Sequence, residues 1–290
     1  MPHAILNGMM GTQGISPYIP PTTNLILDIN MALDVFSNYS GTTPQTTDGG
    51  SVGHIGDQSS YTYAGNPLSA RQLDTAEKPL FYNSDPNRND KPYILLDSSD
   101  RYLVMEPYSG AYDINGSTGA TGMTAYLVID PGTQDYDAGL ITKNSDFFHD
   151  DGFAVWMNDT TNDDLNAYVI DEGFPSYNEI NNNDPNGSAC IVSYSIETSD
   201  TAANRVNALR VKNAGLSVQA RDSGSTNDMD SNADFPSEKM LIGTLRNTSG
   251  NPSTLYTFDG KIFRVLLFDV CHSEATQEAI MNGLGTIYNI

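Results

Sequence analysis

The stretch from Lys91 to Met105, KPYILLDSSDRYLVM, constrains the fold most. Two apolar runs, residues 93–96 and 102–105, are each long enough for a short strand but too short for a buried helix. Between them Asp97-Ser98-Ser99-Asp100 has the chemistry of a turn, because short polar side chains bond their own backbone there. A chain that repeats this rhythm folds as many short strands joined by corners.

The rhythm repeats. Strands are expected at 93–96, 102–105, 124–129, 139–142, 153–157, 167–170, 189–196, 206–212, 216–221, 239–245 and 260–268, and a further apolar strand in 24–36. Residues 37–76 are polar and rich in Gly, Thr and Ser, which predicts long loops with short strands. Cys190, Val192, Tyr194 and Ile196 alternate with Ile191, Ser193 and Ser195, the pattern of a half-buried antiparallel strand. KIFRVLLFDV, from Lys261, is apolar almost throughout and suits a central strand covered on both faces. The acidic residues support this reading. Only eight of 36 are Glu, and Asp favours turns where Glu favours helices.

One segment reads as helix. Ser273 suits an N-cap with Glu274 in the first turn. Ile280, Leu284, Ile287 and Tyr288 then form a stripe, while Gly283 and Gly285 are expected to end the helix early. Residues 1–23 read as an extended N-terminal arm, since Pro17, Pro20 and Pro21 oppose helix. The fold class is therefore all-β: a jelly-roll β-sandwich of two antiparallel sheets over residues 24–290, with a short C-terminal helix. The net charge of −22 argues against a nucleic-acid partner, which needs clustered cations. No window approaches the apolar length of a membrane span. The opening MPHAILNGMMGTQG carries no basic region and no long apolar core, so no export signal is expected.

The order of motifs resembles that of concanavalin A-like, laminin-G-like domains of bacterial and phage proteins. The matching positions are Pro79, Pro92, Leu96, Asp97, Asp100 and Leu103, with Asp57 and Ser59 upstream, MTAYLVIDP from Met123, and the closing strand and helix from Phe258. Arg264 stands where that family usually has Glu. The resemblance implies a lectin-like sandwich. Glycoside hydrolases of this fold carry a compact run of three carboxylates on one strand, and the sequence has none; Glu172 and Glu179 are separated by a loop-like GFPSYN. His3, His54, His149 and His272 fit no nucleophile pattern. Cys190 and Cys271 are expected as buried free thiols, and Trp156 as a core residue.

Ca2+ could be held between loops. NNDPNG resembles the start of an EF-hand loop through Asp184 and Asn186, although Ser193 stands where the bidentate Glu would be. Asp150 and Asp151 form a second candidate pair. No other cofactor is expected. The leading expectation is a non-enzymatic virion protein, a capsid decoration, head-fibre or tail-associated subunit made in the host cytoplasm. Its arm would anchor to capsid or tail proteins through Pro2, Ile15, Tyr18 and Ile19. It would form a homo-oligomer, a trimer by analogy, and engage a cell-surface glycan. A lectin module of a bacterial surface protein and a polysaccharide-degrading enzyme are the alternatives.

Overall fold

The computed structural model describes residues 20–63, 65–97, 100–106, 122–134, 137–144, 152–158, 165–171, 174–180, 188–197, 206–213, 219–222, 239–247 and 249–290. Along the chain run β1 (Leu25–Asn30), β2 (Val35–Phe36), β3 (Gly50–Ser51), β4 (His54–Gly56), β5 (Thr62–Tyr63), β6 (Asn66–Pro67), β7 (Ser69–Arg71), β8 (Leu80–Asp85), β9 (Lys91–Leu96) and β10 (Leu103–Glu106). The second half adds β11 (Gly122–Pro131), β12 (Ala138–Asn144), β13 (Gly152–Met157), β14 (Leu165–Asp171), β15 (Phe174–Ile180), β16 (Cys190–Glu197), β17 (Val206–Asn213) and β18 (Gln219–Asp222). Then come β19 (Leu241–Ile242), β20 (Thr244–Arg246), β21 (Pro252–Thr257), β22 (Gly260–Phe268) and α1 (Glu274–Tyr288).

Two sheets stack as a β-sandwich. The first has the order β18-β17-β16-β11-β22-β9-β8-β3, with β1 also paired to β22. The second has the order β15-β14-β13-β12-β19-β10-β7-β4-β2, joined by β20 and β21; β5 and β6 form a separate hairpin. Among the described residues, pairing is antiparallel apart from one parallel contact, Gly139 with Thr257 between β12 and β21. Leu27, Ile29, Ile94, Leu127, Val192 and Val265 from the first sheet meet Ile55, Leu103, Met105, Ile141, Phe153 and Val155 from the second in one buried core.

The Asp97–Asp100 break is the corner between the layers. β9 lies in the first sheet and β10 in the second, and Leu96 and Leu103 on either side are fully buried. Stacked sheets sit about 10 Å apart, so the chain needs a polar crossing here. Asp100 takes a left-handed conformation, φ 68°. Asp97 Oδ1 accepts from Arg101 Nε at 2.6 Å, and Arg101 Nη1 donates to the Lys78 carbonyl. Asp97 is thus tied to the corner's own arginine, while Asp100 supplies the left-handed turn residue.

β16 departs from the half-buried expectation, because its second face is covered too. Cys190, Val192, Tyr194 and Ile196 enter the inter-sheet core. Ile191 joins Leu25, Tyr126, Val128, Phe263, Leu266 and Phe268 beneath α1, against Ile280, Met281, Leu284 and Tyr288. Ser193 Oγ donates to Gln277 Oε1 of the helix at 2.9 Å, while Ser195 Oγ shares a 2.9 Å hydrogen bond with Thr124 Oγ1 of β11, so neither small polar residue of the strand meets water. β22 is covered on both faces as its composition predicts.

Three local expectations are corrected. Helix α1 does not stop at Gly283 or Gly285; it runs to Tyr288. At Gly285 a Cβ would stand 2.7 Å from the Ile290 carbonyl and 2.9 Å from Lys212 Cε, so this glycine serves close packing. Ser273 caps the N-terminus as expected, and Asn289 closes the other end at φ 56°. Residues 24–36 are not one strand: β1 ends at Asn30, whose Oδ1 accepts from the Ala32 N–H at 3.0 Å and starts a turn. Residues 239–245 are also divided. Gly243, at φ 88°, separates β19 from β20, a conformation open to glycine and costly for β-branched residues. Residues 216–218 of the expected strand 216–221 lie outside the described residues, and β18 begins at Gln219.

Candidate functional site

Among the described residues, an open groove with a volume of about 300 Å3 lies where the two sheets end together. β2 is the last strand of the second sheet and β3 the last of the first, beside β8. The β1–β2 turn, β2, the Pro44-Gln45 segment, Phe81 and Asn83 of β8 and Pro92 of β9 line it. Edge strands place backbone and side chains where a ligand can reach them without breaching the core.

Its base is apolar and buried: Met31, Val35 and Phe81 are all under 9% exposed. Phe36 is held edge-on against His54, with ring centroids 5.4 Å apart. His54 is itself fixed by a bond from Nδ1 to the Tyr39 carbonyl at 3.2 Å, and burial lowers its pKa below the usual histidine value. The rim is exposed and mixed. Leu33 is 49% exposed. Asp34 sits at φ 50°, and its Oδ2 accepts from Gln58 Nε2 at 2.9 Å. Asn83 is pinned through its N–H to Asp48 Oδ1 at 2.7 Å and through Nδ2 to the Thr46 carbonyl at 2.9 Å and to Asp48 Oδ1 at 2.8 Å. Gln45 Nε2 donates to the Ser51 carbonyl at 2.8 Å, and its Oε1 accepts from the Thr47 N–H at 3.1 Å. An apolar base with a few fixed polar groups on the rim is the usual make-up of a small-ligand site.

The residues singled out by sequence fall elsewhere. The Ca2+ candidates Asp184, Asn186, Asp150 and Asp151 lie outside the described residues, as do the anchoring candidates Pro2, Ile15, Tyr18 and Ile19. Among the described residues, no three His, Cys, Asp or Glu side chains gather to hold a metal ion, and no helix is long and apolar enough to cross a membrane. Asp57 and Ser59 form a turn: Asp57 Oδ1 accepts from the Asp28 and Ser59 N–H groups at 2.8 and 2.9 Å, and Oδ2 accepts from Ser59 Oγ at 2.6 Å. Arg264 completes a buried bidentate pair with Asp28, Nε to Oδ1 at 2.8 Å and Nη2 to Oδ2 at 2.7 Å.

Both cysteines are free. Burial pushes the Cys271 thiol up to about 12, and desolvation lowers the adjacent His272 to about 4. At neutral pH these neighbours are a thiol and a neutral imidazole, not the thiolate and imidazolium of an activated nucleophile. His272 Nδ1 instead shares a 2.8 Å hydrogen bond with Tyr126 Oη.

Trp156 is buried as expected, but on the opposite face of β13 from Phe153, Val155 and Met157. Those three enter the inter-sheet core. Trp156 packs with Ala154, Tyr168 and Leu245 on the outer face of the second sheet. Its ring meets Tyr168 edge-on at 5.3 Å, and its Nε1 donates to Asn158 Oδ1 at 3.3 Å.

No protein-family model and no curated protein matches the sequence. Solved structures do resemble the fold. Full-length tailspike protein 2 from the Escherichia coli O157:H7 bacteriophage CAB120 is 13% identical, with a TM-score of 0.52 over 87% of this chain and 29% of its own. The enzymatically active domain of tailspike protein 2 from bacteriophage CBA120 is 11% identical, with a TM-score of 0.52 over 87% of this chain and 33% of its own. The chain is similar to these proteins in fold. It spans about a third or less of each tailspike chain. Domain 4 of AbnA, a GH43 extracellular arabinanase from Geobacillus stearothermophilus solved with arabinotriose, is 11% identical with a TM-score of 0.48, covering 89% of this chain and 98% of that one.

Proposed function

We propose that the protein is a non-catalytic, lectin-like display subunit of a virion, of the concanavalin A-like kind, and that its edge groove engages a cell-surface glycan. The groove carries this reading: it is open to solvent, built at the ends of both sheets, apolar at its base and rimmed by polar side chains that neighbours hold in place. A pyranose ring offers the complement, an apolar C–H face edged by hydroxyls. The fold likeness to phage tailspike chains supports a setting on a particle. In this reading residues 1–23 attach the sandwich to capsid or tail proteins, with Pro2, Ile15, Tyr18 and Ile19 as anchors, and the subunits associate as a trimer.

A glycan array probed with the full chain tests the binding, run with and without Ca2+. Binding to at least one glycan, weakened by changes in the groove, is the expected result. Silence in both conditions would leave pure architecture and remove the adhesive role. Calcium-dependent binding would bring in the acidic segments around Asp150 and Asp184. Deleting residues 1–23 should abolish incorporation into particles while leaving the thermal transition of the sandwich intact; unchanged incorporation would remove the anchoring role.

A further inference from the structure

Resting on the glycan-binding reading, we infer that the groove selects sugars that carry no acidic group, neutral or amine-bearing pyranoses, and turns away sialic and uronic acids. The first reason is charge. No Lys, Arg or His is among the residues that line the groove, whereas Asp34 stands on its rim. Asp48 lies directly behind the rim, bonded to Asn83. The whole chain adds a net charge of −22. A carboxylate entering here meets like charge and no cation among the described lining residues, which lowers affinity by on the order of a hundredfold for a pair about 5 Å apart near a protein surface, and by less as salt screens it.

The second reason is hydrogen-bond polarity. Asn83 spends both hydrogens of its amide nitrogen, one on the Thr46 carbonyl at 2.9 Å and one on Asp48 Oδ1 at 2.8 Å. What it can offer a ligand is its carbonyl oxygen. Asp34 gives one carboxylate oxygen to Gln58 Nε2 at 2.9 Å and keeps the other, an acceptor. At these two positions the rim therefore asks its ligand for donors. Sugar hydroxyls and ammonium groups are donors, and a carboxylate is not. Leu33, 49% exposed beside Asp34, supplies apolar contact to the sugar's C–H face. The volume of about 300 Å3 limits the bound portion to one or two rings.

Asp34 also gives a clean test. Its φ of 50° lies in the left-handed region, which Asn adopts as readily as Asp, so Asp34→Asn removes the charge and keeps the turn. The full chain is titrated with pairs of oligosaccharides identical except for a terminal sialic acid or an amine. Neutral and amine-bearing members should bind at least about tenfold more tightly than the sialylated one. Asp34→Asn should narrow that gap by strengthening the sialylated member. Leu33→Ser should weaken all of them about fivefold or more with an unchanged thermal midpoint, being an exposed position. Preference for the acidic member, or binding that neither substitution alters, would overturn the inference while leaving glycan binding in place. No response to any glycan would remove the glycan-binding reading and this inference with it.

Discussion

Strands β8 and β9 serve two regions of opposite character. Phe81, Asn83 and Pro92 line the edge groove. On the other face Tyr82 stacks on Tyr93, with centroids 5.0 Å apart and planes within 10°. Tyr93 continues into Phe263 and then Tyr288 of the helix. In the helix-covered region polar groups find one another inside the protein: Asp28 with Arg264, Ser193 with Gln277, Thr124 with Ser195, Tyr126 with His272. In the groove the polar groups are positioned by their neighbours and keep acceptors to spare. The first region holds the closing strand and helix on the sandwich; in the second only the base, Met31, Val35 and Phe81, belongs to the core, and the exposed rim around Leu33 is the part that the proposed recognition would use.

The largest expected effect tests the helix-covered region. Asp28→Ala would leave the Arg264 guanidinium buried without its carboxylate and should cost about 3–5 kcal/mol in urea unfolding. If it costs under 1 kcal/mol, the pair does not organise this face. A pH series comes next. His272 titrates near 4 in the fold against an ordinary 6.5, so between those values the unfolded chain binds more protons and stability falls as the pH drops. Above pH 6.5 the full contribution is present, and below 4 this group adds no further loss. Allowing for the partial solvent exposure of His272, the loss attributable to it is about 2 kcal/mol. His272→Gln should flatten that part of the curve, and an unchanged slope would contradict the assignment.

A third substitution probes the inter-sheet core. Tyr194 Oη is fully buried and has no hydrogen-bond partner among the described residues, so Tyr194→Phe should raise stability by up to about 1 kcal/mol. A loss of 2 kcal/mol would mean that the hydroxyl has a partner after all. The smallest effect sharpens the comparison most. Leu33→Ser should change unfolding by no more than about 0.5 kcal/mol, even though the proposed reading has it weaken glycan binding. A large destabilisation would place the groove among the structural regions.

The strands were legible because each apolar run ends in turn chemistry within a few residues. The Asp97–Asp100 corner, the inward set from Cys190 to Ile196 and the Ser273 cap all follow from local patterns. What is not local was missed. Residues 190–196 show one buried face, and only the docking of α1 explains the burial of the other. Gly285 reads as a helix breaker because the sequence does not show that Ile290 and Lys212 approach it. Trp156 reads as a core residue, but alternation along β13 sends it to the face opposite Phe153, Val155 and Met157. The groove was hidden for the same reason: it joins residues 31–36, 44–45, 81, 83 and 92, each ordinary by itself.

The division of labour is tested most directly by titrating the 15N-labelled chain with the tightest-binding neutral oligosaccharide and mapping the shifted backbone amides. The account predicts shifts concentrated at Leu33, Asp34, Gln45 and Asn83, with the amides of β16 and α1 unmoved. Shifts centred instead on Trp156 and Tyr168, on the outer face of the second sheet, would contradict it.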